Sequence, residues 1–191
     1  YTYAAGTTSF TLTYQYLDDI PTATTTGNYT IGLTVTDDDT GSSSSSTMVT
    51  VNNVVPLLGN LIATAIDENG TTTLTGTITD PSILDTFTLE VNWGDPLSAN
   101  NVEQYTYAAG TTSFTLTHQY LDDNPTATAT DNYTIGLTLT DDDAGSSDNS
   151  VAVTVNNVVP LLGNLVTTTI DGESLRNVPS LSSASAISSD P

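Results

Sequence analysis

The sequence predicts an all-β protein made of tandem β-sandwich repeats, and three observations carry that expectation. The 13-residue stretch YTYAAGTTSFTLT at positions 1–13 recurs unchanged at 105–117, a shift of 104. Threonine (39) and serine (19) fill 58 of the 191 positions, and β-branched threonine favours the pleated surface of a sheet. Apolar and polar residues alternate through several short segments, while no stretch of useful length repeats with the 3.6-residue period of a helix.

The repeat sets the organisation. Residues 1–67 match 105–171 at 54 of 67 positions. A period of 104 is too long for a solenoid turn and suits a sandwich domain of about 100 residues. VNNVVP, at 51–56 and again at 155–160, follows a strand pattern and reads as the linker. The boundaries that follow are 1–53 for the C-terminal part of one domain, 54–157 for a complete domain, and 158–191 for the N-terminal part of a following domain or a Ser-rich tail. A half-sandwich leaves core residues open. Either the chain is an arbitrary slice of a longer array, or residues 158–191 of one copy complete residues 1–53 of another by strand addition, giving a head-to-tail filament.

The strands are expected in order. In residues 9–16, Phe10, Leu12, Tyr14 and Tyr16 share one face; in 28–36, Tyr29, Ile31, Leu33 and Val35 point inward with threonines opposite. Phe87, Leu89, Val91 and Trp93 alternate likewise, as do Val151, Val153 and Val155. Turn-rich segments such as DDDTGSSSSS and DENGTT separate them.

Composition excludes several function classes. Twenty-two acidic residues face a single Lys or Arg, Arg176, for a net charge of −21, with no Cys and one His, His118. Such a chain has no electrostatic means of holding nucleic acid or an anionic membrane. It lacks lysine for a phosphate loop or Schiff base and cysteine for disulfides, thiolate sites or thiol catalysis. One histidine makes a serine triad or a His-rich metal site within the chain improbable. No apolar run approaches 18 residues, so no membrane insertion is expected.

Trp93-Gly94-Asp95-Pro96, then His118-Gln119-Tyr120, then the strand from Asn132 through Tyr133, Ile135, Leu137 and Leu139 to Asp141 follow the order of a known pattern. Residues 54–157 thereby resemble a PKD domain (polycystic kidney disease repeat), an immunoglobulin-like sandwich, although Pro96 replaces the family's second turn glycine and Tyr14 stands where His118 does in the other copy. The resemblance is to repeats of large secreted bacterial surface or fibre proteins. It implies extracellular spacers or binding accessories rather than enzymes; the partners expected are copies of the chain itself, by the strand addition above, or glycans.

The residues also have readings of their own. Trp93, closing an alternating strand, is expected in the core with its N–H partnered. His118, replaceable by Tyr, is expected to pack or hydrogen-bond. Asn28, Asn69 and Asn132 each open an N-x-T sequon. Tyr1, Tyr3, Tyr105 and Tyr107 alternate and offer the aromatic row that a carbohydrate-binding or adhesive module would need, or are core residues. The acidic residues cluster in turns: Asp37-Asp38-Asp39 and Asp141-Asp142-Asp143 end the same strand in two copies, Asp67-Glu68 follows the first strand past a linker, and Asp18-Asp19 and Asp122-Asp123 share a loop position. Hard cations take six to eight oxygens, and carboxylates without a neutralising base favour one. Asp37, Asp39, Asp141, Asp143, Asp67 and Glu68 are therefore the expected ligands of Ca²⁺ near domain junctions. Paired carboxylates also serve glycosidases, but short polar turns offer no apolar pocket to raise one of them, and no enzyme is expected.

Overall fold

The computed structural model describes residues 1–19, 23–123, 127–163 and 166. All regular structure among them is β, with no helix. Strands β1 (Thr26–Thr36) and β2 (Ser42–Asn52) form a two-stranded antiparallel sheet, with Thr26 opposite Asn52 and Thr36 opposite Ser42. The remaining eight strands are β3 (Leu57–Ala63), β4 (Ile66–Asp67), β5 (Thr71–Thr79), β6 (Phe87–Asn92), β7 (Val102–Tyr107), β8 (Ser113–Gln119), β9 (Thr130–Asp141) and β10 (Ser146–Asn156). They build a five-stranded sheet in the order β4-β10-β9-β6-β7 and a three-stranded sheet in the order β3-β5-β8.

These two sheets close on one core, as their alternation requires. Leu58, Leu74, Ile78 and Phe114 come from the smaller sheet; Phe87, Leu89, Val91, Tyr133, Ile135, Leu137, Leu139, Val153 and Val155 come from the larger. On β9 every second residue from Tyr133 to Leu139 is buried while the threonines between them reach solvent. Each such aliphatic side chain contributes roughly 1.5–3 kcal/mol by leaving water. Pairing is antiparallel except for the short β4, which lies parallel to β10 with Ile66 opposite Val155.

One end of the core is polar. Trp93 is fully buried, and its Nε1 donates to Glu103 Oε2 at 2.9 Å, which meets the expectation that its N–H has a partner. The His118 ring stacks on it, with centroids 4.7 Å apart, and places Nε2 3.2 Å from Asp95 Oδ2. Tyr120 donates from its hydroxyl to the Trp93 carbonyl at 2.7 Å. The turn between them needs Gly94: its φ is 70°, and a Cβ there would run into the Thr134 carbonyl. His118 thus packs and hydrogen-bonds, as expected.

The strand expected over residues 9–16 is not formed. Residues 1–19 contain no strand, and Phe10, Leu12 and Tyr14 are 49%, 40% and 81% exposed. At the corresponding positions β8 is held by its ladder to β5. Among the described residues no strand pairs with residues 9–16, so this segment has no ladder of the kind that makes its twin a strand. β1 does form, yet Ile31 and Val35 remain 37% and 63% exposed.

Candidate metal centre

Carboxylates converge where the second half of the expected VNNVVP linker, residues 53–56 between β2 and β3, meets the sandwich; its first two residues belong to β2. The turn from β9 to β10 fixes one side. Asp141 N donates to the Gly145 carbonyl at 3.0 Å, and Asp141 Oδ1 accepts from Asp143 N at 3.0 Å and Gly145 N at 2.6 Å. Linker residue Asn53 donates from Nδ2 to Asp141 Oδ2 at 2.8 Å, across 88 positions of sequence. The turn therefore holds Asp143 inward, 5% exposed, while the exposed Asp142 accepts from Thr86 N at 2.9 Å.

The connection from β5 to β6 supplies a second side. Asp80 Oδ1 accepts from Ser82 N at 2.8 Å, and the Ser82 hydroxyl donates to Asp85 Oδ1 at 2.5 Å. The loop ahead of β1 supplies the third. Asp19 is 2% exposed, and the Tyr29 hydroxyl donates to the Asp18 carbonyl at 2.8 Å. Three groups result: Asp18, Asp19 and Asp143; Asp85, Asp142 and Asp143; Asp80, Asp85 and Asp141. Within each, one oxygen per carboxylate lies within 4.8 Å of the others. Asp143 and Asp85 are shared between groups, so the three form one continuous acidic patch. A cavity of about 120 Å³, lined by Asp18, Asp19, Asn53 and Ser82 among others, opens beside it.

The electrostatics are unresolved by protein groups alone. Among the described residues the one ion-pair geometry is His118–Asp95, away from this patch; Arg176, the single base, lies outside the described residues. Burial first, then the negative charges of Asp19, Asp18 and Asp142, push Asp143 up to about 6. Burial likewise pushes Asp85 up to about 6 against the opposing Ser82 hydrogen bond. Asp80 is also raised by burial. Asp19 Oδ2, Asp80 Oδ2 and Asp85 Oδ2 are buried with no hydrogen-bond partner. Such orphaned oxygens need a proton or a cation, since a buried charge is otherwise costly. An all-oxygen donor set of this kind suits a hard cation.

The expected ligands divide. Asp141 and Asp143 lie in this patch. Glu68 joins Asp122 and Asp123 in a separate group at the opposite end of the sandwich. Asp67 is exposed, and its Oδ1 accepts from Asn156 Nδ2 at 3.3 Å. Asp37 and Asp39 sit on an exposed turn where Asp37 Oδ1 accepts from Gly41 N, and neither joins a group of three carboxylates among the described residues. Asp18-Asp19 and Asp122-Asp123, outside the ligands expected from the sequence, complete these groups together with Asp80 and Asp85, which no sequence pattern marks. The Asp pair recurs between the copies, but so does most of its loop, so recurrence alone does not single it out.

The sequon residues Asn28, Asn69 and Asn132 are all exposed. The Asn28 and Asn132 Oδ1 atoms accept from Thr50 and Thr154 hydroxyls at 2.8 and 2.7 Å, and Asn69 Oδ1 accepts from Gln119 Nε2 at 2.9 Å. Tyr105 and Tyr107 pack against the core, whereas Tyr1 and Tyr3 are exposed; the four do not form one exposed aromatic row. Comparison with protein-family models and with curated proteins gives no match.

Proposed function

We propose that the chain is a non-catalytic structural repeat segment of a secreted bacterial fibre, stalk or surface protein, built from consecutive PKD-like, immunoglobulin-like sandwiches of 104-residue period and stiffened by Ca²⁺ where one repeat meets the next. The observation that carries this reading is the origin of the junction carboxylates. Asp18 and Asp19 precede the linker, Asp143 follows it, and their oxygens come within 4.8 Å with no Lys or Arg among the described residues to neutralise them. A cation there ties together two segments that a four-residue linker would otherwise leave free to pivot. Removing it with EDTA lowers the melting temperature and broadens the particle dimensions in solution scattering, and Ca²⁺ restores both. Identical melting and scattering with EDTA and with Ca²⁺ would contradict the stiffening role.

Assembly with copies of itself draws support from the apolar face of β1, which residues 1–16 cover only in part. Ile31 and Val35 are exposed there, whereas Ile135 and Leu139, 104 residues on, are fully buried under β3, β5 and β8. Strands of another copy supply the missing cover in this reading, and electron micrographs of the protein at high concentration then show ordered polymers. Monodisperse single particles would oppose it. The carbohydrate-binding alternative is weakened by Tyr105 and Tyr107, which are spent on the core.

A further inference from the structure

The end of the sandwich opposite the patch carries a second acidic group made entirely within residues 57–156. Glu68, Asp122 and Asp123 place one oxygen each within 4.8 Å of the others. Asp123 is 7% exposed, and its Oδ2 is buried with no hydrogen-bond partner. The scaffold around these side chains is fixed by the backbone. Glu68 N donates to the Asn156 carbonyl at 2.8 Å, Tyr120 N donates to the Gly70 carbonyl at 3.1 Å, and Gln119 Nε2 donates to the Asn69 carbonyl at 3.1 Å. The Tyr133 hydroxyl donates to the Asp122 carbonyl at 2.9 Å. Glu68 Oε1 accepts from Val158 N at 2.5 Å, so the group also grips the second VNNVVP segment at its fourth residue. Burial and the neighbouring Glu68 charge both raise the Asp123 carboxyl.

We propose that Glu68, Asp122 and Asp123 form a second divalent-cation site, and that the Asp pair at this repeat position bridges two ions at each junction. Asp122-Asp123 stand 104 residues after Asp18-Asp19, and the Tyr133–Asp122 hydrogen bond repeats that of Tyr29–Asp18 at 2.8 Å. At positions 18–19 the pair meets Asp143, on the far side of the linker; at positions 122–123 it meets Glu68, on the near side. A shift of 104 puts the counterpart of Glu68 ahead of residue 1 and that of Asp143 beyond residue 191, so each pair displays one half of a two-ion junction. The bridging half of this inference rests on the tandem reading above; the Glu68 site itself does not. Clustered carboxylates with unneutralised, orphaned oxygens are the donors a hard cation selects.

The test is a titration of the full ¹⁵N-labelled chain with CaCl₂, followed by amide chemical shifts. Shifts at Glu68, Asn69, Gly70 and Asp122 together with shifts at Asp142, Asp143 and Gly145 support both sites. In a Glu68→Gln, Asp123→Asn variant the first set needs at least tenfold more calcium to move, while the second set responds as in the unsubstituted chain. Movement at 142–145 with none at 68–70 and 122 overturns the second site and leaves the junction reading standing. Movement at 68–70 and 122 alone supports the second site and overturns the junction reading. No movement in either set overturns both, and none of these readings depends on whether the variant folds.

Discussion

Residues 1–13 and 105–117 are the same thirteen amino acids in two different states. In the second stretch, Tyr105 and Tyr107 end β7, Phe114 is 5% exposed on β8, and both strands are laddered to neighbours. In the first, no strand forms and Phe10 is 49% exposed. The turn between is nevertheless the same. Thr7 and Thr111 both donate from N to the carbonyl three residues back at 3.2 Å, Gly6 and Gly110 have φ of 82° and 79°, and Tyr3–Phe10 and Tyr107–Phe114 rings lie 5.9 and 6.3 Å apart. Turn geometry is therefore written in local chemistry, whereas strand state and burial depend on a partner sheet. Tertiary context overrides β-propensity in the way expected of a half-buried surface.

The largest predicted difference between the two stretches is in packing. Phe114→Ala removes a buried ring and should cost about 3–5 kcal/mol in chemical denaturation of the sandwich. Phe10→Ala, the same change on the exposed copy, should stay within about 0.5 kcal/mol. Equal effects would mean that residues 1–13 are also packed in solution.

A smaller contrast lies in the acidic turns. Asp141–Asp143 is built into a buried patch; Asp37–Asp39 repeats its backbone, Asp37 N donating to the Gly41 carbonyl at 2.9 Å, but faces solvent. Asp85 and Asp143 have folded-state pKa values raised to about 6 from 3.8. Their stabilising protonated forms are fully present below pH about 4 and are lost as pH rises through 6. In EDTA, thermal unfolding should therefore show stability falling between pH 4.5 and 7 by on the order of 1–3 kcal/mol, since each pKa unit is worth about 1.4 kcal/mol. Saturating Ca²⁺ should remove the fall. Asp85→Asn with Asp143→Asn should flatten the profile in EDTA, while Asp39→Asn should leave it in place. A profile that rises toward pH 7 in EDTA would contradict the burial of these carboxyls.

The smallest effect tests the shared turn. Gly110→Ala forces a Cβ into the left-handed region and should destabilise the sandwich by about 1 kcal/mol. Gly6→Ala has the same local strain, yet it should leave the sandwich's melting temperature unchanged because no strand ladder depends on it.

The all-β class was legible because alternation in residues 87–93, 133–139 and 151–155 is a property of the strand itself. The same alternation in residues 9–16 misled, because burial of Phe10 and Leu12 needs a neighbour that the segment alone does not encode. The site was half legible for the same reason. Asp141, Asp143 and Glu68 stand out as runs beside linkers, but Asp85 and Asp80 are isolated in sequence and reach Asp141 only in the fold, Asp85 through the pairing of β6 with β9 and Asp80 from the end of β5 in the other sheet. Asp37 and Asp39 share the motif and the turn of Asp141 and Asp143 without the loops that would complete a site around them.

On the proposal above, one cation is held jointly from both sides of the linker. Calorimetric titration of Ca²⁺ into the full chain, into Asp19→Asn and into Asp143→Asn tests it most directly. Loss of at least tenfold in junction affinity in both variants is the predicted result, because each removes one charged oxygen donor from the same ion. Binding unchanged in Asp19→Asn but lost in Asp143→Asn would put the site within the sandwich alone and contradict the claim.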